Sequence, residues 1–333
     1  GSSPTIFPAA GEPPHSAPLP GYLRQEETMP NTETPMGSAA HVDYEAFEKS
    51  TLVPPNAGIT NLQQQYLPNW LPEGVTKKDG ARALAAAKEE LFDLQDAFYA
   101  DGSRSMLVVL QGMDAAGKDG TIKHVLEGVN PQGIDVHSFK APTSLDRAHD
   151  FLWRHEIATP PLGMIGVFNR SQYENVLATR VHPDRLWPVT SVPAPEDIWA
   201  QRFEEINNWE RRLTNQGTII VKLFLNLSKE EQARRFLARV DVPEKNWKVS
   251  LTDMAERAYW DDYLAAFTDM LNNTSPANAP WHVLPADNKW FLRLSAVSVL
   301  LEAMRRADPR YPEVSDANRK RLTQMKADLE AGA

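Results

Sequence analysis

One stretch of this chain has the residue types and spacing to hold phosphate. Residues 112–120 read Gly112-Met113-Asp114-Ala115-Ala116-Gly117-Lys118-Asp119-Gly120, a GxxxxGK pattern placed between a short branched apolar run and a segment of helical period. Gly112, Ala115, Ala116, Gly117 and Gly120 are small enough for the backbone to wrap closely around phosphate oxygens. Consecutive N–H groups then point inward, and the helix N-terminus adds partial positive charge. Lys118 would neutralise a phosphoryl group in transfer. The hydroxyl residue that normally follows the lysine is Asp119 here, and Asp114 sits inside the loop. Carboxylates beside phosphates repel them unless a hard cation lies between, so the pattern predicts Mg²⁺, or Mn²⁺ in its place, held chiefly by Asp114 with Asp119 second.

A second group of residues follows the apolar run at 164–168: Asn169-Arg170-Ser171-Gln172-Tyr173-Glu174. In phosphate-loop enzymes this strand end normally gives an aspartate to the metal shell. An amide at Asn169 cannot replace that charge, which moves more of the neutralisation onto Asp114. Arg170 suits a clamp on equatorial phosphate oxygens, and equally a structural ion pair at a strand end; spacing admits both. Between residues 228 and 262 lie Lys229, Arg234, Arg235, Arg239, Lys245, Lys248 and Arg257 among eight acids. By charge count this is a solvated helical face. By position, between the fourth and fifth strands, it is where small-molecule kinases carry a mobile lid, with Pro243 and Trp247 marking a turn inside it. Lys140, Arg154 and Arg180, near strand ends or the helices after them, are further candidates for phosphate contacts. The eight histidines include no pair at a metal-site spacing, and the nine tryptophans read as core and lid packing.

These residues need a scaffold, and the chain supplies one. Its 333 residues, 42% hydrophobic and 24% charged, suit a globular core and exclude disorder throughout. No apolar run approaches the roughly 20 residues that cross a bilayer, cysteine is absent, and no charged region followed by an apolar one opens the chain. The expectation is a cytoplasmic enzyme without membrane partners. Residues 1–103 hold six Lys/Arg against fourteen Asp/Glu, which leaves the remainder nearly neutral at 29 against 30; no basic stripe with interleaved aromatics suggests nucleic acid. Five apolar runs, at residues 105–111, 135–139, 164–168, 218–227 and 282–284, alternate with helical segments. That alternation predicts an α/β fold with a parallel sheet of about five strands. One helix should start near Ala81, another at Pro195 and end at Gly217, and a third run unbroken through Leu251, Ala258, Tyr263 and Met270. Ser228 with Glu231 forms a capping box, Asp287 caps a helix reaching about Arg306, and residues 315–330 make a polar terminal helix. The proline-rich first fifty residues read as a flexible arm, 51–310 as the catalytic domain with its lid at about 229–262, and 311–333 as the closing helical segment.

Taken together, GMDAAGKDG at 112–120, FKAPT at 139–143, HDFLWR at 149–154, FNRSQYENVL at 168–177, SKEEQARRFLARVDVPEKNWKVS at 228–250 and WDDY at 260–263 resemble the family-2 polyphosphate kinases over roughly residues 60–307. The resemblance implies a three-layer phosphate-loop fold like thymidylate kinase with a helical lid. It also implies reversible, Mg²⁺-dependent phosphoryl transfer between inorganic polyphosphate and adenine or other nucleotides, in a homodimer or homotetramer. Asp114 would bind metal, Lys118 and Arg170 the transferred phosphate, and Arg234, Arg235 and Arg239 would be lid cations. Asn169 and Glu174 resemble the subgroup accepting AMP as well as ADP, with both positions near the nucleotide; the chain departs from the family pattern at Leu145-Asp146-Arg147. Two rivals remain at this stage: a nucleoside monophosphate kinase that takes ATP as donor, and a non-catalytic nucleotide sensor.

Overall fold

The computed structural model describes residues 42–186 and 197–332. Five strands, β1 (Ser105–Gly112), β2 (Ile134–Ser138), β3 (Ile165–Asn169), β4 (Thr218–Asn226) and β5 (Trp281–Pro285), form one sheet in the order β2-β3-β1-β4-β5. Every pairing is parallel. β1 is the central strand, and all eight of its residues are buried. Its side chains alternate between two cores, as the period of two requires. Met106, Val108 and Leu110 enter one and Leu107 and Val109 the other.

The helices that matter here are α1 (Tyr44–Thr51), α2 (Lys77–Asp101), α3 (Lys118–Val125), α4 (Ala178–Val181), α5 (Ile198–Asn215), α6 (Lys229–Asp241), α7 (Leu251–Glu256), α8 (Trp260–Asn273), α9 (Lys289–Ala307) and α10 (Asp316–Glu330). Helices α2, α3 and α9 cover the first core, and α5 and α8 cover the second. The result is the expected three-layer α/β architecture. The chain leaves β1 toward β2 on one side and leaves the neighbouring β3 toward β4 on the other, so the connections from these two adjacent strands run in opposite directions. The crevice at the carboxyl ends of β1 and β3 is therefore a switch point where ligands bind in open α/β sheets. No described helix is long and apolar enough to cross a membrane.

Several expected boundaries shift, each for a local reason. α2 begins at Lys77, not Ala81, because Thr76 and Asp79 form a reciprocal capping box. The helix expected to run through residues 251–270 is interrupted at Arg257–Tyr259, which separates α7 from α8, and Leu251 is exposed rather than core. Ser228 accepts from Glu231 N–H, but the other half of that box is replaced: Asp287 accepts from both Ser228 N–H (2.9 Å) and Ser228 Oγ (2.8 Å). Asp287 thus ties β4's exit to β5's, and the residue at the start of α9 is Asn288. The first fifty residues are not all arm, since α1 seats Phe47 against Phe291 (ring centroids 5.5 Å apart) and pairs Glu48 with Arg306. Pro195 and the proline-rich residues before 42 lie outside the described residues. α10 belongs to a separate unit. It is capped by Ser315 and buries none of its side chains.

Candidate functional site

The loop between β1 and α3 closes tightly. Gly112 has φ 155°, and a Cβ there would stand 2.8 Å from the Leu225 carbonyl, so only glycine fits. Ala115 (φ 63°) and Gly117 (φ 112°) also take left-handed backbone, and Ala116 N–H donates back to Met113 O. Lys118, the first residue of α3, is buried and folds over the loop, donating to Gly112 O (2.7 Å) and Met113 O (3.3 Å). Burial, with the charge of Arg170 nearby, lowers the Lys118 ammonium below its usual value, against the acids Asp114, Glu174 and Asp119. A phosphate arriving beside it would reverse that pressure.

β3 delivers the opposite wall. Arg170 sits at φ 61°, a conformation that costs a non-glycine residue roughly 1–3 kcal/mol. Its N–H still bonds Leu110 O of β1, and its guanidinium reaches Asp114 Oδ1 at 2.7 Å. Glu174 and Asp114 act with opposite sign to burial and hold the Arg170 charge. The ion pair that the spacing allowed is present, and Arg170 makes it with the phosphate loop's own Asp114. Asn169 turns away from this pair, donating to Asp119 Oδ1 (2.7 Å) and Ser138 Oγ (3.4 Å). Gln111 joins the walls. In the orientation that satisfies both amide ends, it donates to Glu174 Oε1 (3.1 Å) and accepts from Ser171 N–H and Oγ (3.1 and 3.0 Å).

The third wall is the helix–turn–helix of α6, Pro243–Lys248 and α7. Gln232 donates to Asp114 O (2.9 Å), and Arg257 binds Gln232 Oε1 and Lys229 O, both at 2.8 Å. A cleft results, lined by Gly112, Asp114, Arg170 and Glu174 from the sheet side and Gln232, Asp253, Glu256 and Arg257 from α6, α7 and the turn after it, over Leu177, Trp260, Tyr263 and Phe267. Burial tends to raise the Glu256 carboxyl, but hydrogen bonds from His182 (2.7 Å), Tyr263 (2.9 Å) and Arg185 (3.1 Å) outweigh it and hold it below the usual carboxylate range.

Not every expected cation faces this cleft. Arg235 is buried and donates to the Ala115, Ala116, Ala286 and Asp287 carbonyls, with Glu231 beside it at 2.9 Å. It braces the outside of the loop rather than reaching in as a lid cation, because its helix packs directly on the loop. Arg154 is likewise buried, donating to Lys140 O (2.8 Å) beneath Phe139, and Arg180 pairs with Asp269. Neither lines the cleft. Arg234 is exposed with Glu231 at 3.1 Å, Arg239 holds Asp253 and Lys248 O at 3.4 Å, and the Lys140 side chain is exposed. Trp247, expected to pack in the lid, stands 79% exposed at its tip. Sequence reasoning passed over Gln232 and the acids Asp253 and Glu256. Uncharged or acidic residues in a basic lid carry no signal until the lid's fold shows which face they occupy.

Among the described residues no cluster of three or more acidic or histidine side chains forms a ready cage. The donor set of Asp114 and Asp119 fits a hard cation that takes its other ligands from phosphate oxygens and water, as Mg²⁺ does, and does not fit a metal that needs nitrogen or sulfur.

A family model described as Polyphosphate kinase 2 (PPK2) matches residues 74–312. The chain is 50% identical over 250 residues to an ADP-polyphosphate phosphotransferase of Rhodopseudomonas palustris, covering 74% of this chain and 86% of that one. It is 40% identical over 244 residues to an AMP/ADP-polyphosphate phosphotransferase of Meiothermus ruber, covering 73% and 88%. The crystal structure of polyphosphate kinase 2 from Arthrobacter aurescens TC1 matches with a TM-score of 0.73 at 40% identity, covering 82% of this chain and 98% of that one.

Proposed function

From the premise that this chain belongs to the polyphosphate kinase 2 family, we propose how its residues divide the work of transfer and which acceptors it takes. The protein is an enzyme that moves phosphoryl groups between polyphosphate and nucleotides. An ATP-dependent monophosphate kinase and a non-catalytic sensor fit its relatives less well. In our reading the donor phosphates lie in the loop of residues 112–118, with Lys118 and Arg170 on opposite sides of the transferring group. Phosphoryl transfer is carried by positioning and by neutralisation of charge on the equatorial oxygens, and an acceptor phosphate is already ionised, so no general base is required. Lys118 supplies a desolvated ammonium and Arg170 a planar fork that can hold two oxygens at once. Asp114, with Asp119, would hold Mg²⁺, which would supply further neutralisation of the phosphate charge.

The observation that carries this reading is Arg170 itself, held in left-handed backbone at the end of β3 with its guanidinium 2.7 Å from the loop's Asp114. Glu174, one turn on and facing the same cleft, faces the acceptor. We read the chain as accepting both AMP and ADP, as the name of its Meiothermus ruber relative states of that protein. The test is a time course with Mg²⁺, long-chain polyphosphate and AMP, without ATP. Appearance of ADP and then ATP supports both acceptors. Conversion of ADP alone removes AMP from the reading.

A further inference from the structure

β4 carries a lysine where its neighbours on the same face, Ile220 and Phe224, are core residues. Lys222 is completely buried, and its ammonium donates to Glu210 Oε2 (2.6 Å), Thr274 O (2.7 Å) and Tyr173 Oη (2.9 Å). Three protons have three partners. Glu210, on the inner face of α5 and equally buried, also accepts at Oε1 from Tyr173 Oη (2.6 Å) and Gln172 Nε2 (3.1 Å). An apolar pair would serve the packing as well or better, since two charges are costly to take out of water. The stability of the core therefore does not account for them. Neither residue lines the cleft, and the transfer chemistry above uses neither.

Glu210 holds both Gln172 and Tyr173, and Lys222 holds Tyr173, the two residues that follow Arg170-Ser171. This is the segment whose left-handed turn needs its surroundings to over-determine it. Gln111 fixes the segment from the β1 side through Ser171 and Glu174, and the Lys222–Glu210 pair fixes it from beneath. We propose that this buried pair is a positioning device for phosphoryl transfer: acting through Gln172 and Tyr173, it clamps the turn after β3 so that Arg170 and Glu174 face the phosphate loop. The inference rests on the role given to Arg170 above.

Two variants test it. The apolar double substitution Lys222→Met with Glu210→Leu removes the charges at similar volume, and Tyr173→Phe deletes only the hydroxyl that bridges them. In substrate-free protein, amide hydrogen exchange over residues 170–175 should accelerate by about tenfold or more while β1 and β4 stay protected. Turnover should fall by about tenfold with KM for polyphosphate changed much less. In an Arg170→Met background the same substitutions should cost little more, because a positioning residue has nothing left to position. Unchanged exchange at 170–175, or a loss that multiplies in full with that of Arg170→Met, overturns the proposal. If Arg170→Met alone keeps normal turnover, the role of Arg170 fails, and the exchange data still decide whether the clamp exists. Should the double variant not fold, Tyr173→Phe decides alone.

Discussion

Asn169→Asp isolates the electrostatics on which the metal reading depends. The amide donates to Asp119 Oδ1 at 2.7 Å, so the substitution turns a donor into a like charge at the same place. Asp119 is exposed, and the effective dielectric there is close to that of water; two unit charges about 4 Å apart then repel by about 1 kcal/mol. Loss of the hydrogen bond adds about 1 kcal/mol. In metal-free buffer at neutral pH the variant should therefore be about 2 kcal/mol less stable, a drop in Tm of about 4 °C for a domain of this size. Mg²⁺ should reverse the order of effects. The carboxylates of residues 119 and 169 become a divalent pair, and excess Mg²⁺ should raise the Tm of the variant by several degrees more than that of the parent chain. Thermal unfolding followed by circular dichroism, with EDTA and with MgCl₂, reads both effects. Equal stabilities in EDTA, or an identical Mg²⁺ response, would refute the reasoning.

Three more outcomes are expected. Arg235→Met leaves four backbone carbonyls without their donor and should cost roughly 3 kcal/mol in denaturant unfolding, while turnover per folded molecule falls far less than for loss of Lys118; intact stability with lost turnover would return Arg235 to the phosphate site. Burial pulls the His282 imidazole down from 6.5 to about 4. The unfolded chain therefore binds the extra proton first, so stability is complete above 6.5, declines as pH falls toward 4, and loses roughly 3 kcal/mol over that window; His282→Gln should flatten the profile there. Glu256 has linkage of the same sign, in a lower pH window. Its depressed carboxyl stabilises the fold above the unfolded value of 4.5 and loses that contribution as pH falls through its lower folded value, so the stability gap between the parent chain and Glu256→Gln should be constant above 4.5 and shrink progressively as pH falls below it.

The phosphate loop was legible because its chemistry is local. A buried strand, a run of small residues and a lysine at fixed spacing leave one backbone solution, and the five strands betrayed themselves by unbroken apolar runs. α1 was not legible, since eight residues with a single deeply buried aromatic carry too weak a period to separate from the proline-rich segment before them. Asp287 was misplaced for a different reason: a carboxylate next to a helix start is equally suited to a cap and to a neighbouring strand's exit, and only the fold brings Ser228 within reach. The lid cations show the limit most clearly. Arg234, Arg235 and Arg239 look alike in sequence, yet the turn of α6 sends Arg235 under the loop and leaves Arg234 in solvent. Conversely, Lys222 sits inside an apolar strand, where its charge gives no sign of the glutamate twelve residues earlier that makes its burial possible.

The central claim is that Lys118 and the loop around it carry the transfer. The most direct measurement is the turnover of Lys118→Met at saturating polyphosphate, ADP and Mg²⁺, with the unfolding midpoint taken on the same sample. Loss of one preorganised charge at the transferring group should lower kcat by about 10²–10³, with the midpoint changed by no more than a few degrees. Turnover within a few-fold of the parent chain, in a folded variant, would contradict the account.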